Sequence, residues 1–127
     1  MIINVPPHVV APCITLNPAL NRGLSWSLFN SHDTATFLLV SLGVFLFFIL
    51  FSYYTYQRLR HGASILGESL IIAGAFSNLL DRIIYHGVVD FIIISCGSWA
   101  WPSFNIADIA ICLGSFIMII HLIREQS

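Results

Sequence analysis

The stretch TATFLLVSLGVFLFFILFSYYTY, Thr34 to Tyr56, runs for 23 residues without a charge. As an α-helix it is about 34 Å long, enough to cross a hydrocarbon core of about 30 Å. It closes on Tyr53, Tyr54 and Tyr56, an aromatic cluster suited to a membrane interface, and Arg58-Leu59-Arg60-His61-Gly62 follows at once. Those five residues read as a short basic turn with a glycine stop, and the positive-inside rule makes the turn cytoplasmic.

After this span, a second apolar segment from about Ala63 to Ile84 is expected to return to the outer face. A third, Phe104 to Ile123, then goes back in and ends at Arg124. Arg58, Arg60 and Arg124 all fall at predicted cytoplasmic positions. Between the second and third spans, Tyr85 to Ser103 holds the β-branched run Val88-Val89-Asp90-Phe91-Ile92-Ile93-Ile94, then a turn-rich segment with Trp99 and Trp101. A short strand and a Trp-anchored loop at the outer interface are expected there. Residues 1–32, rich in Pro and Asn, are expected outside as well. The fold class that follows is an all-α integral membrane bundle of about three spans with a small β-rich outer-face subdomain, forming a single domain over 1–127.

Composition agrees. Hydrophobic residues make up 57% of the 127 and charged residues 9%, five Arg and six Asp or Glu, against roughly 25% charged in soluble domains. A mean hydropathy of +0.88 and a net charge of −1 together exclude a nucleic-acid binder working through a basic face, an acidic disordered tail and an ordinary soluble enzyme. Cys13, Cys96 and Cys112 share no C-x-x-C spacing, and an odd set indicates neither a disulfide scaffold nor a zinc ribbon; a Cys13–Cys96 bridge stays open as an alternative but is not the expectation. His8, His32, His61, His86 and His121 never fall at i, i+3 or i+4, so no metal site and no cofactor are expected. Residues 1–20 lack the basic n-region and apolar run of a signal peptide. Val10-Ala11-Pro12-Cys13 faintly echoes a lipid-attachment box that the proline spoils.

In so uncharged a chain, ionisable groups near a span need a reason, since an unpaired carboxylate in hydrocarbon costs several kcal/mol. Asn78, Asp81 and Arg82 stand at i, i+3 and i+4 on one side of the second span, and Gly67 and Gly74 continue that side so that another helix can pack close. Polar groups decorating a helix end are an equal alternative. On the third span Asn105, Asp108, Cys112 and Ser115 recur at near-helical period, a stripe expected to face protein. Taken alone, Asp108 fits a structural hydrogen bond or an ion path as well as catalysis. Asp90, in the strand-like run on the same outer side, brings in a further reading: two carboxylates sharing one proton are the machinery of aspartic peptidases.

Three stretches resemble the bacterial lipoprotein signal peptidases, also called signal peptidase II: Gly74-Ala75-Phe76-Ser77-Asn78-Leu79-Leu80-Asp81-Arg82, Gly87-Val88-Val89-Asp90-Phe91, and Phe104-Asn105-Ile106-Ala107-Asp108. The order and spacing of G-x-x-x-N-x-x-D-R, G-x-V-V-D-F and F-N-x-A-D are specific, and the similarity runs from about Thr15 to Ile120. The resemblance implies a multi-pass aspartyl endopeptidase of the bacterial cytoplasmic (inner) membrane, with its active site toward the outer, periplasmic face. It cleaves prolipoproteins just before a lipobox cysteine that bears diacylglycerol. Membrane lipid and the prolipoprotein are its implied partners, without nucleic acid, and a monomer is expected.

By motif match, Asp90 and Asp108 are the implied catalytic dyad. Asn78, Arg82 and Asn105 are implied to support the site, with Asp81 holding Arg82. Asn21-Arg22-Gly23-Leu24-Ser25-Trp26-Ser27 looks like the family's N-x-G-A-A-F-G segment, in which Asn21 and Gly23 fit while Leu24, Ser25 and Trp26 replace Ala, Ala and Phe. Trp26, Trp99 and Trp101 are expected to act as membrane anchors. Family members open with a further span carrying an Asp and a Lys, four spans in all, and this sequence offers three: either Met1 is not the true start, or the chain is a truncated or divergent member. Two rival readings stay open: a paralogue that binds precursors without cutting them, and a small ion- or proton-conducting subunit using Asp81 and Asp108. Motifs of other intramembrane proteases, G-x-S-G, H-E-x-x-H and G-x-G-D, do not occur.

Overall fold

The computed structural model describes residues 5–24, 28–30 and 32–125. The elements run β1 (His8–Ala11), β2 (Ile14–Asn21), α1 (Thr34–Arg60), α2 (Leu66–Tyr85), β3 (Val88–Cys96), β4 (Trp99–Ala100) and α3 (Ile106–Glu125). They fall into two compact units, one of Met1–Ser41 with Leu80–Asn105 and one of Leu42–Leu79 with Ile106–Ser127.

The first unit is built on a four-stranded antiparallel sheet in the order β1-β2-β3-β4. Its first half comes from the N-terminal segment, where the proline content hides two strands. Pro18 lies within β2 because the β2–β3 register shifts between Leu16 and Ala19, so the missing N–H falls where the ladder is already irregular. Pairing divides accordingly into Ile14 to Leu16 against Ile92 to Ile94, and Ala19 to Asn21 against Val88 to Asp90. A disulfide joins Cys13, in the β1–β2 turn, to Cys96 at the end of β3. This corrects the expectation drawn from an odd cysteine count: two cysteines pair and Cys112 is left free. The chain then turns at Gly97 (φ 61), and Phe104 pairs with Ile92. Phe104 is therefore spent on the sheet, which is why α3 begins at Ile106 and not at Phe104 as the apolar run suggests.

At the start of α1 the Asp33 carboxylate accepts the Thr36 N–H (2.9 Å) and the Thr36 hydroxyl (3.0 Å), an N-cap that satisfies an otherwise orphaned helix donor. Arg22 reaches the same corner. Its Nη1 donates to the His32 carbonyl (2.8 Å), and its guanidinium stacks over Phe37 at 4.9 Å from the ring centroid. The anchor expected at Trp26 lies outside the described residues; Trp99 and Trp101 are exposed and tilted against each other, with centroids 6.1 Å apart.

Helix α3 and α1 from Leu42 onward lie in the second unit; both helices are long and apolar enough to cross a membrane, with large hydrophobic side chains such as Leu50, Phe116 and Ile123 exposed. Helix α2 carries Glu68, Asp81 and Arg82 and does not reach that composition. The basic residues at 58 and 60, expected in a turn, instead complete α1, because cations stabilise the carbonyl-rich C-terminal end of a helix; the turn itself is His61-Gly62 (φ 76 at Gly62).

Two features hold α2 to its neighbours. Glycines let α2 and α3 meet backbone to backbone: a Cβ on Gly67 would stand 2.6 Å from the Gly114 carbonyl oxygen, one on Gly114 would stand 2.5 Å from the Gly67 oxygen, and one on Gly74 would stand 2.5 Å from the Ala107 oxygen. Beside Gly67, Glu68 is fully buried and its Oε1 lies 2.8 Å from Arg58 Nε. Arg58 also grips Glu125 through both terminal nitrogens (2.9 and 2.8 Å), so one guanidinium ties α1, α2 and α3 together. A carboxylate without water must be paired, and Arg58 is the pair that the sequence alone leaves unidentified for Glu68. The polar stripe expected along α3 holds for Ser115, which is half-buried and bonded back to Ile111, and breaks at Cys112, which is exposed.

Candidate active site

Asp90 is the centre of the first unit. It sits on β3 between Val89 and Phe91, 1% exposed, and each of its carboxylate oxygens accepts a side-chain amide N–H: Asn105 Nδ2 to Oδ1 at 2.9 Å, and Asn21 Nδ2 to Oδ2 at 3.0 Å. Backbone pairing explains why these donors arrive there. Asn21 ends β2 one residue beyond the Leu20–Val89 pair, and Asn105 follows Phe104, whose carbonyl accepts the N–H groups of Phe91 (3.1 Å) and Ile92 (2.9 Å). Both asparagines are buried, and the strand pairings on either side of Asp90 set where they stand.

Gly23 and Arg82 brace Asn21. The Asn21 Oδ1 accepts the Gly23 N–H (2.9 Å), its Nδ2 also donates to the Leu24 carbonyl (2.8 Å), and the buried Arg82 Nη2 donates to the Gly23 carbonyl. A side chain at position 23 is excluded, since its Cβ would fall 2.1 Å from the Leu28 carbonyl oxygen. Asp81, implied by the resemblance to hold Arg82, accepts the Val89 N–H (3.1 Å) and so pins β3 one residue before Asp90. Gly87, at the head of the same strand, leaves room for Leu20, which a Cβ would approach to 2.8 Å.

Asp108 belongs to the second unit. It lies in the first turn of α3, where a helix N-terminus favours negative charge, and is half-buried; Asn78 Nδ2 of α2 donates to its Oδ1 at 3.3 Å. Gly74, one turn before Asn78, allows this reach by letting α2 touch the backbone at Ala107. Thus Asn21, Gly23, Asp81, Arg82, Asp90 and Asn105 are gathered in one unit and Asn78 with Asp108 in the other. No group of three His, Cys, Asp or Glu suited to a metal occurs among the described residues.

The sequence profile of signal peptidase (SPase) II matches residues 2–124. The chain belongs to the signal peptidase II family. It is 37% identical over 110 residues to the lipoprotein signal peptidase of Wigglesworthia glossinidia brevipalpis, covering 87% of this chain and 71% of the relative. With that of Blochmanniella pennsylvanica it is 39% identical over 115 residues, 88% of this chain and 68% of the relative. A solved bacterial membrane enzyme, determined by the in meso method at 2.3 Å, superposes with a TM-score of 0.74 at 25% identity, over 96% of this chain and 73% of that one. Signal peptidase II membership implies a peptidase, and the two apolar helices with a membrane-enzyme neighbour make it an integral membrane protein.

Two groups of contacts lay outside the sequence reading. Arg58 with Glu68 could have been suspected from a lone carboxylate in an apolar helix, which demands a cation. The Arg82 bond to the Gly23 carbonyl has no sequence signal, because any backbone carbonyl is chemically equivalent until the fold selects one.

Proposed function

We propose that this chain removes signal peptides from prolipoproteins as an aspartyl endopeptidase, cleaving just before a diacylglyceryl-modified lipobox cysteine, with Asp90 and Asp108 as the catalytic dyad. The observation that carries the reading is the convergence on one carboxylate. Asn21, Asp90 and Asn105 come from three separately spaced motifs, and the two asparagines hold both oxygens of the aspartate. Any buried carboxylate needs donors; what favours catalysis here is that both donors are motif asparagines, as suits a group that must be positioned to within a fraction of an ångström. Asn78 joins a fourth motif to Asp108 in the same manner.

In this mechanism one carboxylate is ionised and takes a proton from the attacking water, while the other is protonated and donates to the scissile carbonyl oxygen. Water adds directly, with no covalent intermediate on the enzyme. The dyad titrates as a pair, so a pH optimum reports the two groups jointly. Asn21, Gly23, Asn78, Asp81, Arg82 and Asn105 position the carboxylates or hold the substrate backbone. Helices α1, α2 and α3 span a bacterial inner membrane, with Arg58, Arg60 and Arg124 cytoplasmic and the sheet on the outer side. Supporting that orientation is the Cys13–Cys96 bond, since disulfides persist in oxidising compartments. The acyl chains of the substrate stay among membrane lipid, and the chain acts as a monomer.

The test is complementation in cells lacking their own lipoprotein signal peptidase. The unmutated chain is expected to mature a reporter prolipoprotein, and Asp90→Asn and Asp108→Asn to accumulate the uncleaved, lipid-modified precursor. Precursor accumulating with the unmutated chain, correctly inserted, would refute the peptidase reading.

A further inference from the structure

The disulfide fastens the root of the structure that holds Asp90. It joins residues 83 apart in sequence, with Cα atoms 4.9 Å apart, and Ser95 N–H donates to the Cys13 carbonyl beside it (2.8 Å). From Cys96 the β3–β4 hairpin departs and returns along β3. Trp101 N–H bonds the Ile94 carbonyl (2.8 Å), Phe104 exchanges hydrogen bonds with Ile92, and Asn105 then reaches Asp90. On the β2 side, three paired positions lie between the disulfide and the register break around Pro18, and beyond the break stand Asn21 and Asp90. A ladder of three pairs holds weakly by itself. The bond thus closes the end of the sheet from which both asparagine-bearing segments are aligned.

Local turn chemistry does not account for a cysteine at position 13. With Pro12 before it and φ at 69, Cys13 occupies the left-handed position of a tight turn, where Gly or Asn is the unstrained choice. The bond to Cys96 does account for it. Cys112, exposed on α3 and free, supplies a control thiol in the same molecule.

We propose that Cys13 and Cys96 are an oxidative modification site, and that their oxidation is a maturation step that fixes Asn21 and Asn105 on Asp90. The two thiols lose two protons and two electrons as the S–S bond forms. The electrons pass by thiol–disulfide exchange to a disulfide-bearing oxidant, which leaves as a dithiol. The partner class is therefore a thiol–disulfide oxidoreductase of the outer compartment. The effect on cleavage rests on the peptidase reading above; the oxidation itself does not.

The full chain, from membranes of cells lacking their own lipoprotein signal peptidase, is denatured in sodium dodecyl sulfate with N-ethylmaleimide so that every free thiol is reached, then reduced, labelled with a heavier maleimide and analysed by peptide mass spectrometry. Heavy label is expected on Cys13 and Cys96 and light label on Cys112. Light label on Cys13 and Cys96 in cleavage-competent protein overturns the proposal. Dithiothreitol applied to the purified protein is then expected to raise amide exchange at Phe91 and Ile92 and to lower precursor cleavage, each by about tenfold, with recovery on reoxidation. Cys13→Ser/Cys96→Ser should behave permanently as the reduced protein, and Cys112→Ser as the untreated one. Unchanged exchange and cleavage after confirmed reduction also overturns it. Should Asp90→Asn still cleave, the dyad fails on its own, because labelling and exchange are read without activity.

Discussion

Replacing Gly74 by alanine tests whether the contact between α2 and α3 sets the position of Asp108. The new Cβ falls 2.5 Å from the Ala107 carbonyl oxygen and 2.7 Å from Ile111 Cγ1. Ile111 can rotate; the backbone oxygen cannot, and ordinary contact at 3.4 Å requires α3 to retreat by about 0.9 Å. Ala107 immediately precedes Asp108, whose bond from Asn78 is already 3.3 Å long, so a retreat of that size takes it beyond hydrogen-bond range. Overpacking of this kind costs about 1–3 kcal/mol of stability. Misplacing a catalytic group by about 1 Å costs up to about 100-fold, so kcat/KM on a diacylglyceryl-modified precursor should fall by about 10- to 100-fold, or about 1.4–2.7 kcal/mol in activation free energy. Gly67→Ala is the matched control. Its Cβ meets Met118 N at 2.5 Å, but at the opposite end of the helix pair, seven residues from Gly74. It should lower the melting temperature comparably while leaving the folded fraction at least several-fold more active than Gly74→Ala. Equal losses of activity per folded molecule in both variants would mean that the effect is general loosening. Unchanged kinetics in Gly74→Ala would refute the positional argument.

Two further outcomes follow from other contacts. Arg58→Met leaves Glu68 buried without its cation and should cost about 3–5 kcal/mol, whereas Arg58→Met/Glu68→Leu should recover most of that loss in a thermal-melt double-mutant cycle. Recovery of nothing would show that Glu125, the other partner of Arg58, carries the coupling. At Asp33, hydrogen bonds from the Thr36 N–H, then from its hydroxyl, hold the carboxyl below its ordinary value of 3.8. A group depressed in the folded state stabilises above its unfolded pKa and loses that contribution as pH falls through the lower folded value. Protection of the Thr36 amide, its exchange rate relative to the intrinsic rate at the same pH, should therefore be flat above about pH 4 and fall below it, and Asp33→Ala should remove the acid-dependent part.

What was legible in the sequence follows from the scarcity of charge. With eleven charged residues in the chain, each carboxylate near an apolar run stands out, and Asp90, Asp108, Asn78 and Arg82 could be singled out with their motifs. Gly67 and Gly74 were likewise readable as a close-packing face, and α3 is what packs there. The two N-terminal strands were not, because Pro12 and Pro18 look like breakers until the turn and the register shift that absorb them are known. Helix ends were misplaced for related reasons: Phe104 is apolar enough for a span yet pairs with Ile92, and Arg58 and Arg60 look like a turn yet favour a helix C-terminus. Cysteine parity misled outright, since parity says nothing about which two of three thiols a sheet brings together.

The glycine contacts also bear on how damage to this protein could be repaired genetically. At Gly67, Gly74 and Gly114 the nearest obstacles to a new side chain include backbone atoms of the facing helix: Met118 N and Gly114 O, Ala107 O, and Gly67 O respectively. Backbone is common to all residues, so no exchange of side chain at the facing position can make room. A suppressor search starting from any of these three positions should return true revertants, or changes in the segments that set helix spacing, and no reciprocal partner substitutions. Covariation between the two helices is thus expected to be silent where their contact is closest.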